Sequence, residues 1–361
     1  MPFLNRLSGL TFSDFERNLE SEPALIAEIT EKMLLAQANA AARQKRAIAR
    51  GTHAKGVCAR ARFEVFDVTV GRDPALAARL ARGIYAKPGI YPAIVRFANG
   101  DPNVNSDFKV DLRALSFTVE LAPGGGAAAG ANVSRQDYSM QNGTTFIVND
   151  ARAFLTFAKV LSASSQAKGM LSLPWQEKLI FARIAAIALR QAHQPLKPYQ
   201  QLRYWSQVPF RHGPTDVVKY SATPSADNSA RALQKNNPNA LQDELRRHLN
   251  EDTQMSSFDF ALQFLDTERM TYRGKRRDAD FWIENASVEW QEKRSPFHTV
   301  ARLTLVSKSE LPRDASKSLY FDVTGNSAPD SAPVGSINRT RCPAEIASRK
   351  ARIRRLGASP E

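Results

Sequence analysis

The stretch RGTHAKG, residues 50–56, decides how the rest of this sequence is interpreted. It follows a long basic helical pattern and precedes residues 60–70, where apolar and polar side chains alternate as they do in a strand. His53 is one of only five histidines in the chain of 361 residues. Taken alone, a histidine beside Thr52 fits an ordinary loop as well as a catalytic site, so the other motifs have to decide.

The composition is typical of a globular protein, with 43% hydrophobic and 24% charged residues. No stretch approaches the roughly 18–20 consecutive apolar residues that span a bilayer, and the first residues lack the apolar segment of a signal peptide. Cys58 and Cys342 are far apart and form neither a disulfide framework nor a zinc site. We therefore expect a cytoplasmic protein without a membrane partner.

The net charge of +14 predicts attraction to anions. The cations are spread along the chain, and no strand combines them with the aromatic side chains on which single-stranded nucleic acid stacks. We therefore expect no nucleic-acid partner. Basic side chains can instead bind the carboxylates of an anionic cofactor.

Helical and strand patterns alternate along the chain. Helices are predicted over residues 23–50, 74–85, 150–161 and 174–193, and strands over residues 60–70, 93–98, 110–121, 144–148, 216–222, 257–266, 282–290 and 299–307. The helix at residues 174–193 is apolar on most faces and is expected to be buried. Strands on both sides of one helical insert predict an α+β fold, an antiparallel β-barrel with helices packed around it.

Four motifs, in order, resemble those of the catalase superfamily. Full-length catalases carry R-x-x-H-A-K-G, then F-E-V, then V-R-F, then an asparagine before an F-F-I-R-D-like strand end. Here these motifs correspond to residues 50–56, 63–65, 95–97 and 142–150. The match covers residues 45–160 well and the remainder loosely, and it resembles the short minicatalase or catalase-related peroxidase branch.

The resemblance implies one catalase-like domain over residues 1–361 that binds haem b (iron protoporphyrin IX). A helical arm is expected at about residues 1–50, and the helix on the proximal side of the haem at about residues 335–355. His53 corresponds to the histidine that moves a proton between the two peroxide oxygens as base and then as acid. Asn142 corresponds to the amide beside it. An ungapped alignment gives Gln141 instead, but we prefer Asn142 because the family residue is asparagine.

The resemblance also implies roles for aromatic and basic side chains. Phe146 and Phe154 correspond to aromatic residues of the distal pocket, for which core packing is the alternative. Arginines hold the haem propionates in the family, since a guanidinium matches a carboxylate in shape and charge. The corresponding residues are Arg50, Arg96 and Arg352, and Arg341 corresponds to the arginine that supports the axial tyrosinate.

Two positions depart from the family pattern. Thr52 stands where large catalases have valine, and in the superfamily threonine accompanies hydroperoxide-rearranging or weakly catalatic members. The axial tyrosine position, four residues after Arg341, is Glu345. The candidates for the iron ligand are therefore Glu345, Cys342, Tyr320 or no residue at all.

These residues predict a haem-dependent peroxidase that reduces hydrogen peroxide or organic peroxides with a small-molecule reductant and has weak catalase activity. The first alternative is an enzyme that rearranges hydroperoxides, as allene oxide synthases of this fold do. The second is a catalase-fold protein that binds haem without catalysis. A homo-oligomer is compatible with the resemblance.

Overall fold

The computed structural model describes residues 22–45, 50–121 and 134–355. The strands in these ranges are β1 (Gly56–Val65), β2 (Gly89–Asn99), β3 (Arg113–Glu120), β4 (Arg135–Gln141), β5 (Tyr204–Trp205), β6 (Phe210–His212), β7 (Asp216–Pro224), β8 (Ser257–Phe264) and β9 (Phe297–Glu310). The helices are α1 (Pro23–Arg43), α2 (Pro74–Leu80), α3 (Ala151–Ser162), α4 (Gln166–Ser172), α5 (Trp175–Ala192), α6 (Ala240–Glu251), α7 (Ala279–Glu284), α8 (Arg313–Ser318) and α9 (Ser336–Arg355).

The strands form one antiparallel sheet that closes into a barrel. Their order is β5-β4-β3-β2-β1-β9-β8-β7, and β5 pairs with both β4 and β7 to close the eight-stranded ring. Closure pairs the two edges that an open sheet would expose, and the short strand β6 extends from β7. The predicted α+β fold, an antiparallel barrel with helices around it, is confirmed.

Aromatic side chains fill the inside of the barrel. Phe117 stacks on Tyr138 with ring centroids 4.6 Å apart, and Phe260 meets Phe63 edge-on at 5.5 Å. The hydroxyl groups of Tyr85 and Tyr138 are 2.7 Å apart, so these two buried polar groups satisfy each other. The barrel interior is therefore a packed core, and a ligand site has to be sought outside it.

Helices α1, α3 and α9 pack against one another outside the barrel. Helix α1 begins with a proline in its first turn, and α3 begins after Asp150, whose carboxylate accepts a hydrogen bond from the Ala153 N–H at 3.0 Å. Among the described residues, no helix has both the length and the apolarity needed to cross a bilayer.

Some predicted elements differ from the structure. Residues 144–148 form bends and irregular chain instead of a strand. Residues 282–290 form the end of α7 and a turn, with Trp282 and Trp290 packed in a second, smaller hydrophobic cluster. Strand β4 was not predicted. The helix predicted over residues 174–193 is present as α5, but the expectation that it is buried is wrong, since only Ile184 and Gln191 are buried in it.

A buried ion pair fixes the start of β1. The Lys55 Nζ donates to Asp107 Oδ1 at 2.7 Å and to the carbonyl oxygen of Pro238. Asp107 also accepts hydrogen bonds from Asn99 Nδ2 and from the Leu241 N–H, each at 2.8 Å. Both buried charges thus have several partners, as a buried pair requires. The network ties β1 to the end of β2, the loop after it and α6.

Gly56 allows β1 and β2 to approach closely beside this ion pair. A Cβ atom added at Gly56 would lie 2.4 Å from the carbonyl oxygen of Phe97 and 2.9 Å from Ala98 Cβ and Arg96 Nη2. The backbone oxygen cannot move without disturbing the strand pairing. The glycine of the RGTHAKG stretch therefore has a packing role.

We expect Gly56→Ala to lower the free energy of unfolding by about 1–3 kcal/mol, because the methyl group overpacks the contact between the two strands. Chemical denaturation measures this loss. Gly89→Ala is the matched control, since the nearest atom to its added Cβ is a side-chain atom, the Tyr91 hydroxyl oxygen, at 3.2 Å, and no backbone atom is among the nearest. Equal losses in both variants would contradict the assigned role of Gly56.

Candidate active site

A cavity of about 680 Å³ lies between the outside of the barrel and helices α1, α3 and α9. Sites for one organic ligand commonly have volumes of about 300–1,000 Å³. The cavity is lined by nine of the ten residues predicted for the site, namely Arg50, Thr52, His53, Arg96, Phe146, Phe154, Arg341, Glu345 and Arg352. The structure thus gathers side chains from both ends of the sequence at one place.

The barrel contributes a wall of small side chains to the cavity. Arg96 of β2 lies opposite Ser116 of β3, and Ser116 lies opposite Ser139 of β4. These three side chains line the cavity, whereas Val95 and Phe97 belong to the barrel core, as alternation along a strand requires. The wall suits a flat ligand because the two serines occupy little space. We did not single out either serine from the sequence, although Ser116 interrupts an apolar strand pattern.

His53 stands in an uncommon backbone conformation at the edge of this wall. Its φ angle is +57°, in the left-handed region that few residues other than glycine adopt. The His53 N–H donates to the Gly100 carbonyl at 3.1 Å, and Arg96 Nη2 donates to the His53 carbonyl at 2.6 Å. The chain is thus held on both sides of the residue, two positions before the buried Lys55.

The hydrogen bonds of the His53 ring define its tautomer. The Gln141 amide nitrogen lies 3.3 Å from His53 Nε2, and Thr52 Oγ1 lies 2.9 Å from Nδ1. With the amide nitrogen of Gln141 as the donor, Nε2 is the acceptor and the proton of the neutral ring is assigned to Nδ1, which donates to Thr52. The lone pair of Nε2 is therefore on the side of Gln141, which also lines the cavity.

Burial, followed by the positive charges of Arg96, Arg50 and Arg341, lowers the pKa of His53 to about 3. A lowered pKa favours the neutral imidazole over the whole physiological pH range. The ring can therefore accept a proton at Nε2 from a bound molecule, which is what a general base requires.

The structure places Gln141, and not Asn142, beside His53. Neighbouring residues on a strand point to opposite sides, and Gln141 is the last residue of β4. The Asn142 side chain turns away and is buried, with its Oδ1 accepting a hydrogen bond from the Arg113 N–H at 2.7 Å. The preference for Asn142 as the amide of the site is therefore corrected to Gln141.

Arg50, Arg96 and Arg352, all of them site residues expected from the sequence, face the cavity without a carboxylate partner among the described residues. Arg50 donates to the carbonyl oxygens of Ser316 and Leu319, and Arg352 donates to those of Lys317 and Leu319. Burial and the positive charge of Arg96 lower the pKa of Arg352 to about 10 and shift that of Arg50 in the same direction. Three cations so close together favour an anion between them.

Helix α9 brings a further arginine and a carboxylate to the cavity. Arg341 Nε is 3.9 Å from Glu345 Oε1, one helical turn away. The Nε and Nη2 atoms of Arg341 are buried without a hydrogen-bond partner in the described part of the chain. The surrounding protein raises the pKa of Glu345, while Arg341 acts in the opposite direction. Arg341 is thus near the Glu345 carboxylate but keeps two buried nitrogen atoms that can still donate hydrogen bonds.

The two other candidates for an iron ligand differ in position. Cys342 is buried away from the cavity, and burial raises the pKa of its thiol to about 12, which disfavours a thiolate. Tyr320 does line the cavity, but its hydroxyl group already accepts a hydrogen bond from Arg135 Nη2 at 2.8 Å. Glu345 is therefore the candidate that is both in the cavity and beside Arg341.

Aromatic side chains form the wall opposite the barrel. The rings of Phe146 and Phe154 meet edge to face with centroids 6.4 Å apart. Phe157, on the same helix as Phe154, also lines the cavity. Both predicted aromatic residues thus contribute apolar surface to the cavity, and they also pack with the core around it.

Comparisons with known proteins identify the fold. No protein-family model and no curated protein sequence matches the chain. Solved structures do match. A fungal catalase is 13% identical and superimposes with a TM-score of 0.61, and the match covers 86% of this chain and 60% of the catalase chain. The chain has the catalase fold.

Two further catalases agree with this result. Catalase A from Saccharomyces cerevisiae and a bacterial catalase are each 15% identical with a TM-score of 0.58, covering 88% and 87% of this chain. The match extends over 63% and 59% of these two catalases, so this chain spans about 60% of their length. At this identity the likeness concerns the fold.

We expect the His53 ring to remain neutral from pH 5 to pH 8, because burial and three arginines lower its pKa. Nuclear magnetic resonance of ¹⁵N-labelled histidine side chains measures this, and the spectrum of His53→Gln assigns the signal. A titration midpoint near 6.5, the ordinary histidine value, would contradict the electrostatic environment described above.

Proposed function

We propose that the protein binds haem b in this cavity and uses it to reduce hydrogen peroxide or organic peroxides with a small-molecule reductant in the cytoplasm. The observation that carries the proposal is the position of the neutral His53 next to three arginines without carboxylate partners. The same cavity thus offers a proton acceptor and binding groups for an anionic cofactor.

The residues that line the cavity fit haem in three respects. Arg50, Arg96 and Arg352 match the two propionates in charge, and the serine wall suits a flat macrocycle. Phe146 and Phe154 supply apolar contacts. Glu345 offers a carboxylate oxygen where catalases have a tyrosinate, with Arg341 beside it as the supporting cation. A carboxylate is the weaker electron donor of the two oxygen ligands.

Haem iron, when bound, supplies the electrons that split the oxygen–oxygen bond of a peroxide. The protein contributes proton transfer. A bound peroxide displaces the Gln141 amide from His53 Nε2, which then takes the proton from one peroxide oxygen and returns it to the other, so that the second oxygen leaves as water from hydrogen peroxide or as an alcohol from an organic peroxide. Thr52 holds the ring through Nδ1–H, and the Gln141 amide donates a hydrogen bond to the departing oxygen. Gln141 takes the role first assigned to Asn142.

A second proposal follows from the bond between Thr52 Oγ1 and His53 Nδ1 at 2.9 Å. This bond holds the imidazole in one orientation, and threonine at this position is associated in the resemblance with weak catalase activity and with hydroperoxide rearrangement. Under the second proposal the protein rearranges an organic hydroperoxide without a reductant. Turnover with and without an added reductant distinguishes the two enzymes.

We expect His53→Ala to retain the Soret absorption of bound haem and to lower peroxide-dependent oxidation by about two orders of magnitude or more, since a general acid–base group is lost. Absorption spectra and steady-state rates of haem-reconstituted protein measure the two effects. His193→Ala is the control, because that exposed histidine lies at the end of α5. Unchanged rates in His53→Ala would refute its catalytic role, and the absence of any Soret band in the parent would refute haem binding.

We expect Glu345→Ala to weaken haem retention, Glu345→Tyr to give a more catalase-like spectrum and Cys342→Ala to leave the spectrum unchanged. The physical reason is that Glu345 lines the cavity beside Arg341, whereas Cys342 is buried outside it. Haem dissociation rates and absorption spectra measure these effects. A thiolate-type band that disappears in Cys342→Ala, with no change in Glu345→Ala, would exclude Glu345 as the ligand.

A further inference from the structure

Helix α5 is attached to the protein through one narrow face. Its buried residues are Ile184 and Gln191, which are seven positions apart, and Glu177 lies seven positions before Ile184. The Glu177 carboxylate accepts a hydrogen bond from Lys159 of α3 at 2.9 Å. Because residues seven apart lie on the same side of a helix, these three contacts turn the opposite side of α5 outward.

The outward side carries a continuous row of apolar side chains, here called the apolar stripe. On α5 its members follow the spacing of four and three residues that keeps one helix face in line, and they are Trp175, Leu179, Ala182, Ala186 and Leu189. Leu171, at the end of α4, adds exposed apolar surface just before α5 and is counted with the stripe. Leu171, Trp175 and Leu179 are 76%, 68% and 62% exposed. An exposed apolar row of this length on a globular protein indicates a contact surface.

Cations border the apolar stripe on both sides. Lys178 lies on one side, and Arg183 and Arg190 lie on the other; all three are exposed. Lys168 and Lys197 add exposed positive charge before and after the helix. Glu177 is the one acid in the sequence of α5, and it points inward to Lys159. The surface is thus apolar along its centre and positive along its borders.

We propose that the apolar stripe and its bordering cations bind the surface of an anionic lipid bilayer, with α5 lying in the plane of the interface. Leucine and tryptophan side chains on one side and lysine or arginine on the other are what such interfacial helices combine. The cations match the negative potential of anionic headgroups. The expectation of no membrane partner rested on the lack of a spanning helix, which this binding mode does not require.

A second copy of the chain does not fit this surface as well. If two copies paired α5 against α5 along the stripe, the positions beside the contact on each helix would be Gln176, Lys178, Arg183, Arg190 and two alanines. Self-pairing therefore places cations opposite cations or neutral residues, and no acid is present to pair with them. An anionic partner relieves this repulsion, whereas nucleic acid would leave the leucines without a contact.

The test measures binding of the full-length protein to vesicles of phosphatidylcholine alone and of phosphatidylcholine mixed with phosphatidylglycerol. We expect sedimentation with the mixed vesicles only, and a weakening of that binding as salt is added. Tryptophan fluorescence gives an independent readout. Trp175 is the most exposed of the four tryptophans, so its emission should shift to shorter wavelength on binding, and Trp175→Phe should bind without that shift.

Charge-reversal variants separate this surface from the general positive charge of the protein. We expect the triple variant Lys178→Glu, Arg183→Glu, Arg190→Glu to lose at least about tenfold in vesicle affinity. The matched control Arg273→Glu, Lys275→Glu, Arg277→Glu changes the net charge equally at three other exposed positions. The variant Leu179→Ser, Leu189→Ser should also lose binding, and circular dichroism verifies that each variant is folded.

Several outcomes would overturn the proposal. They are equal losses in the two charge-reversal variants, no binding of the parent to either vesicle, and a dimer in solution that Leu179→Ser, Leu189→Ser converts to a monomer. Vesicle binding that appears only after residues 1–21 are deleted would mean that this segment, and not a bilayer, occupies the apolar stripe in the intact protein. The proposal does not depend on haem, so vesicle binding and the Soret band are tested separately.

Discussion

Lys55 and Asp107 form an ion pair that solvent barely reaches, with side-chain exposures of 5% and 0%. Removing one partner of such a pair typically costs about 3–5 kcal/mol, because the other charge stays buried without compensation. The pair fixes the chain two residues after His53, and Gly56 lets the next residues join β2 at short distance. The left-handed conformation of His53 is held in place by these contacts, and the direction of its ring depends on them.

The arginines of the cavity have two effects that work together. They offer positive charge to an anion, and in its absence they lower the pKa of His53. Carboxylates bound between Arg50, Arg96 and Arg352 neutralise part of this charge, which raises the pKa of His53 toward the range where a base works best. Under the proposed function, binding of the cofactor and tuning of the catalytic base are thus parts of one electrostatic arrangement.

Sequence patterns predicted the parts of this structure that local chemistry determines. The barrel strands near residues 93–98 and 257–266 are rich in the apolar and aromatic residues that strands favour, and the motif around His53 led directly to the cavity. Residues 282–290 also resemble a strand in sequence, but their two tryptophans pack into a separate cluster and the backbone forms a helix and a turn. Tertiary packing outweighs propensity there.

Two other differences have a similar cause. Choosing between Gln141 and Asn142 requires knowing the residue at which β4 ends, since a shift of one position reverses the side of the strand. The burial of α5 depends on which neighbours its apolar residues meet, and composition contains no information on that. Arg341 and Glu345 were singled out through the resemblance to the catalase motif, and their contact follows from the spacing, because one helical turn separates them.

The three unpaired arginines join parts of the chain that are far apart in sequence: the segment before β1, the strand β2 and the helix α9. Without an anion, their repulsion opposes the closure of α9 over the cavity. A ligand that binds only the closed form stabilises that form. The free energy gained grows with the logarithm of the ratio between the ligand concentration and the dissociation constant. An anion bound between the three arginines should therefore make the protein open less often at α9 and be cut more slowly by proteases.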